Sequence, residues 1–242
     1  MTHAPLGEVL LATTTQFTAQ CIEVPRPELV SSLPDPPPFG ALVRIVLTPS
    51  PPSLGDSGSP LLGQGVIDDF DPFESDPAPI TDDAPTALFG LVFHAETGAI
   101  EPGRPLSALG LTEDELLREQ PQIYELLATR FSAALIGWTD ADGRFRASLP
   151  PRPPRPHARV LTATPADEKL IASDLGWLRG LVRGERVPTG IADELLIAAL
   201  RRLWSASGEG EAFALRAGKE LSRLLAADYE RLRTILERLV GE

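Results

Sequence analysis

LFGLVFHA (Leu88–Ala95) and FSAALIGWT (Phe131–Thr139) are the stretches that decide how this chain folds. Both are short apolar runs of strand length, and the first is dense in Val and Phe. Polar residues do not alternate regularly through them, so both faces of each strand are apolar. Working outward, GALVRIVL (Gly40–Leu47) reads the same way. Leu6–Cys21 carries a further run, in which Phe17, Ala19 and Cys21 alternate with Thr18 and Gln20. Arg144–Leu149 and Arg159–Ala163 are weaker candidates; the former is joined to Phe131–Thr139 by the turn signal Asp140-Ala141-Asp142-Gly143. Six short strands, several apolar on both faces, predict a small closed β-barrel, because closure removes exposed sheet edges.

Two insertions interrupt this barrel, which spans residues 1–163. Residues 48–87 hold eight prolines and eight acids and show no periodicity, the composition of a disordered loop. Residues 106–130 read as a helical insertion. Thr112 is its N-cap, Glu115 completes a capping box, and Leu111 with Leu116 is placed for a hydrophobic staple. Gln120-Pro121 restarts the helix, with Ile123, Leu126 and Leu127 on one apolar face.

From Thr164 the apolar period changes from two to 3.6, and residues 164–242 read as three helices. Thr164-Pro165-Ala166-Asp167 starts the first, whose stripe Ile171, Leu175, Leu178 and Val182 ends at Gly184. The second runs from about Ile191 to Gly208. The third, Glu211 to Val240, would be ~45 Å long; its far end is expected to pack on the barrel or on a partner chain, and Tyr229, Arg231 and Arg233 favour the barrel. The fold class is therefore α+β, a barrel with a helical insertion followed by a helical bundle.

Net charge is −12, and residues 48–87 alone supply eight acids with no Lys or Arg. Residues 166–242 are nearly balanced, at 12 basic against 13 acidic. An acidic chain gives direct nucleic-acid binding no electrostatic support. The N-terminus has no basic segment leading an apolar one, no apolar run approaches a membrane span, and one cysteine allows no internal disulfide. The chain reads as cytoplasmic.

Sites of common chemistry are missing. Gly218-Lys219 is followed by Glu220, so there is no P-loop, and no G-x-G-x-x-G follows a strand. Cys21 and the three scattered histidines His3, His94 and His157 cannot make a structural zinc site. Neither cofactor nor metal is expected. Cys21 with His94 or His157 is the only candidate nucleophile pair, and Cys21 reads better as a small buried hydrophobe. The distinctive surface segment is Leu149–Arg159. Its five prolines enforce polyproline II, and Arg152, Arg155 and Arg159 make it basic. It serves as a stiff spacer, a docking strip, or a seat for the acidic loop. Arg152, Arg155, His157, Arg159, Tyr229 and Arg233 are the candidate docking residues.

Gly7-Glu8-Val9 through Phe17, Pro38-Phe39-Gly40 with Val43, and Phe89-Gly90-Leu91-Val92 resemble the small barrel shared by HerA-type hexameric ATPases and F-type ATP synthase subunits, the HAS barrel. The whole chain is similar to stand-alone cyanobacterial proteins carrying it. The matching stretches are Pro37–Gly40, Glu119–Tyr124 leading into Phe131, Leu149–Pro154 with His157, and Asp228–Arg233 with Ile235-Leu236. Residues 48–87 depart from the pattern. In the ATPases the barrel is an assembly collar beside the motor, so the resemblance implies a non-enzymatic binding role and carries over no catalytic residue. A ring ATPase or ATP synthase is the implied partner. The alternative is an accessory factor in DNA processing that acts through a HerA-like helicase.

Lengthening a loop adds only ~0.6 kcal/mol per doubling. Replacing residues 50–85 with a short Gly-Ser linker is therefore expected to leave the melting temperature within a few degrees, as read by circular dichroism.

Overall fold

The computed structural model describes residues 4–22, 33–47, 85–101 and 106–241. Seven strands form one antiparallel sheet: β1 (Gly7–Ala12), β2 (Gln16–Cys21), β3 (Leu42–Val46), β4 (Ala87–Ala99), β5 (Leu127–Thr139), β6 (Phe145–Arg146) and β7 (Arg159–Thr162). Their order is β2-β1-β7-β3-β4-β5-β6, and β2 also pairs with β5. That second pairing, from Gln16↔Ala134 to Gln20↔Arg130, closes six strands into a barrel.

A six-stranded barrel is what the sequence pattern predicts, but two of the expected members differ. Leu6–Cys21 is a hairpin of two strands, turned at Thr13 and Gln16, where the Thr13 N–H donates to the Gln16 carbonyl at 2.8 Å. The Arg144–Leu149 candidate contributes only the two-residue β6, which extends β5 outside the ring through Trp138↔Arg146 and Thr139↔Phe145. The Asp140–Gly143 turn does join β5 to β6. Burial opposes ionisation of Asp140, but the Arg144 N–H and the Arg146 guanidinium outweigh it and hold the carboxyl below its usual range.

The barrel interior is filled by Val9, Phe17, Ala19, Cys21, Val43, Ile45, Leu88, Val92, Phe131, Ala133, Leu135 and Val160. Phe17 and Phe131 meet edge to face at 6.5 Å. Along β3–β5 the intervening residues Leu42, Phe89, Leu91, Ala134 and Ile136 are buried on the opposite face, against helices. This explains why these strands read as continuous apolar runs. Ile136 is an extra residue in β5, since Phe89 pairs with Gly137 and Gly90 with Leu135. At that bulge Arg186 donates to the Leu135 carbonyl at 2.9 Å. A side chain on Gly137 would lie 2.4 Å from the Phe145 ring, so only glycine fits there.

The helices are α1 (Glu113–Glu119), α2 (Pro165–Ser173), α3 (Leu178–Val182), α4 (Ala192–Ser207), α5 (Glu211–Leu224) and α6 (Tyr229–Val240). The capping box expected at Thr112/Glu115 is formed, and the helix start expected at Thr164 is capped, with Asp167 completing a box there as well. Pro121 opens a 3₁₀ helix, Pro121–Leu126, rather than an α-helix, and residues 127–130 belong to β5 rather than to the insertion. The acidic 48–87 loop lies outside the described residues as far as residue 84. At its flanks the Leu47 N–H donates to the Thr86 carbonyl at 2.9 Å, so the chain leaves and re-enters on neighbouring strands.

Three helices were expected after residue 164, and five are present. The first expected helix breaks at Asp174–Trp177, where the Asp174 carboxylate accepts the Gly176 N–H. The long third helix breaks at Leu225–Asp228. Asp228 accepts the Arg231 N–H through its side chain and so N-caps α6. α6 then turns back onto α4, instead of running on to the barrel. Arg231 grips Asp193 at 2.6 Å, Arg238 grips Glu194 at 2.5 Å, and Ile235 and Leu239 are buried in the shared core. The 163/164 boundary is therefore a change of secondary structure and not of core, because barrel and helices contribute to one cluster. Among the described residues no helix is long and apolar enough to cross a membrane.

The break has an opposite-signed signature. Asp228→Ala is expected to lower stability by about 1 kcal/mol through loss of the N-cap. In an unbroken helix the same change would raise stability by ~0.5 kcal/mol, because Ala is the better helix former. Urea denaturation of the two proteins distinguishes these cases.

Candidate functional site

The far ends of β4 and β5, Thr97–Ala99 and Leu127–Thr129, pair with each other beyond the residues that β3 and β2 reach. They form a two-stranded arm, stitched by a hydrogen bond of 3.0 Å between the Thr97 and Thr129 hydroxyls. The helical insertion sits at its tip. Thr112 caps α1, and its backbone N–H and hydroxyl hold the Glu115 carboxyl below the usual carboxylate range. Leu111 and Leu116, the staple pair, line one side of an open groove.

That groove has a volume of about 480 Å³. Ile100, Leu106, Leu109, Leu111, Ile123 and Leu126 make most of its wall, with Glu101 and Glu125 as its charged members. Several of these apolar residues are unusually open: Leu106 is 59% exposed, Leu109 47% and Ile100 43%. Isolated exposed leucines are ordinary, whereas several gathered around one concavity are not.

This groove was not among the sites expected from sequence. The signal lay in LSALGL (Leu106–Leu111), three leucines before a capped helix with no periodic element to bury them.

The expected docking residues fall in two places. The strip at 149–159 lies along β1: the His157 N–H donates to the Val9 carbonyl, and its ring approaches Glu8 at 3.5 Å. His157 takes a left-handed φ of 63°, in a turn closed by the Ala158 N–H on the Arg155 carbonyl. Pro150 and Pro154 are buried, while Arg152, Arg155 and Arg159 are exposed. The prolines thus anchor the segment to the barrel and turn its arginines outward. Tyr229 and Arg233 belong instead to α6. Tyr229 is 69% exposed, and Arg233 pairs with Glu237 one turn along its own helix. The seam expected in that helix is made by Arg231, and it faces α4.

Cys21 lies in the barrel core, where burial pushes its thiol up from 9.0 to about 11. His94 and His157 are both exposed and face Glu96 and Glu8. Among the described residues no three His, Cys, Asp or Glu side chains gather as metal ligands would. No family model matches the chain, and no curated protein matches it.

Because the thiolate is the reactive form, iodoacetamide at pH 8 is expected to leave Cys21 unmodified in the native protein and to label it in urea, as read by mass spectrometry. The unfolded thiol ionises near 9.0 and the folded one near about 11. The stability from keeping it protonated is complete below pH 9 and declines as the pH rises towards 11.

Proposed function

We propose that this protein is a non-enzymatic binding and assembly module that seats part of a larger complex on the β4–β5 arm. The observation that carries the reading is the apolar groove at the arm tip, where Ile100, Leu106, Leu109 and Leu126 stand open around one concavity. The groove stands on two strands that continue into the barrel wall, so a bound partner would be held against a rigid body. The only cysteine is buried and protonated, a state suited to packing and not to nucleophilic attack. The HAS-barrel resemblance supports a ring ATPase or ATP synthase as the complex, by analogy of fold. Its net charge of −12 disfavours direct contact with nucleic acid.

The test is an affinity pull-down of the full chain from its native cell, beside the double variant Leu106→Glu, Leu109→Glu. Both positions are exposed, so the variant is expected to fold, which circular dichroism checks. The expected outcome is that a ring ATPase or ATP synthase subunit co-purifies with the parent and is lost from the variant. Recovery of a HerA-like helicase with a nuclease would favour the DNA-processing alternative. Equal recovery by both baits would remove the groove from the assembly surface.

A further inference from the structure

We infer that the arm groove accepts a short amphipathic segment of a partner protein, one that presents apolar anchors flanked by Lys or Arg. This rests on the binding-module reading above and names the chemistry of what is bound.

Three observations lead to it. The first is shape. Small-molecule sites enclose most of their ligand, whereas this groove is walled by side chains that stay about half open to solvent: Leu106, Leu109, Ile100 and Leu126. Such a wall suits anchors projecting from a longer chain, which covers the rim as it lies across. The second is charge. Glu101 and Glu125 line the groove itself, and the sequence from Ile100 to Leu126 holds six acids against two arginines. An apolar surface with an acidic rim attracts basic flanks and repels acidic ones, which fixes the sign of the partner. The third concerns a second copy of this chain as occupant. Two molecules of net charge −12 oppose each other at long range. Their association would have to overcome that repulsion as well as the local acidity of the groove.

The experiment is a selection of random ~16-residue peptides, displayed on phage, on the immobilised full-length protein. Leu109→Glu and Glu125→Lys variants are panned in parallel, and the oligomeric state of the parent is measured by sedimentation. The expected winners carry apolar residues together with net positive charge. They should bind Leu109→Glu about tenfold or more weakly. Binding to the Glu125→Lys protein should be weaker too, and affinity should fall as salt is raised from ~0.05 to ~0.5 M. Winners that are neutral or acidic, winners indifferent to both substitutions, or no enrichment at all would overturn the inference. So would self-association of the parent that is abolished by Leu109→Glu, since the groove would then seat a second copy. Failure here leaves the assembly reading testable separately, because the pull-down registers a partner held through any face.

Discussion

Double-sided burial of β3, β4 and β5 is the constraint on which this structure depends. One face of each strand fills the barrel and the other carries the helices. Neither layer is complete alone. Without the helices, Leu42, Phe89, Leu91, Ala134 and Ile136 would face water, at ~1.5–3 kcal/mol for each large side chain. Without the barrel, α4 would lose the wall that its buried Leu195, Leu196 and Leu200 help to cover. Gly40 marks how close the layers come: it has a left-handed φ of 77°, and a side chain on it would sit 2.7 Å from the Ala198 methyl of α4.

Ion pairs orient the helices once burial has brought them in. Arg44 of β3 reaches Asp167, the same carboxylate that completes the capping box of α2, and Arg202 of α4 binds Glu168 at 2.6 Å. The α2 start is thereby tied to both the barrel and α4. At the other end of the layer, Asp193 and Glu194 in the first turn of α4 hold Arg231 and Arg238 of α6. Acids at that position also favour the helix dipole. Asp167 and Glu168 are buried, whereas the two α6 pairs are more open and contribute little to stability singly; all four pairs set directions that apolar contact leaves free.

Much of this architecture is legible in the chain. Continuous apolar runs at 88–95 and 131–139 reveal strands buried on both faces, and S/T-x-x-E/D patterns at 112–115 and 164–167 locate two helix starts to the residue. The helix breaks are less legible. Around Asp228 the leucines keep a spacing near 3.6 on either side, and Ala226-Ala227 is excellent helix sequence. What overrides it is tertiary: α6 gains the Asp193 and Glu194 partners and a place for Ile235 and Leu239 only by turning back. The same blindness applies to β6, where Arg144–Leu149 has room for a longer strand but pairs only with Trp138 and Thr139, at the end of β5 beyond its pairing with β2. The arm groove was hidden for a related reason, since its wall joins residues of β4, α1, the 3₁₀ helix and β5 with those of a connecting loop, which periodicity treats one at a time.

The positions of the open apolar surface and of the basic strip follow from barrel closure. Among the described residues the six strands paired in a ring leave no open edge within the ring itself, so edge pairing with another chain is confined to what projects from the wall. On the proposed binding role, recognition then uses what projects from the wall. β4 and β5, each of 13 residues, outrun the five- and six-residue strands beside them, and their surplus length becomes the arm. The strip at 149–159 is held down by Pro150 and Pro154 and offers charge with little apolar depth. The arm combines depth with the opposite charge, and only burial of apolar side chains supplies affinity that salt does not erase. On the binding role proposed above, the arm is the surface suited to holding a partner through changing salt, and the basic strip is suited to steering.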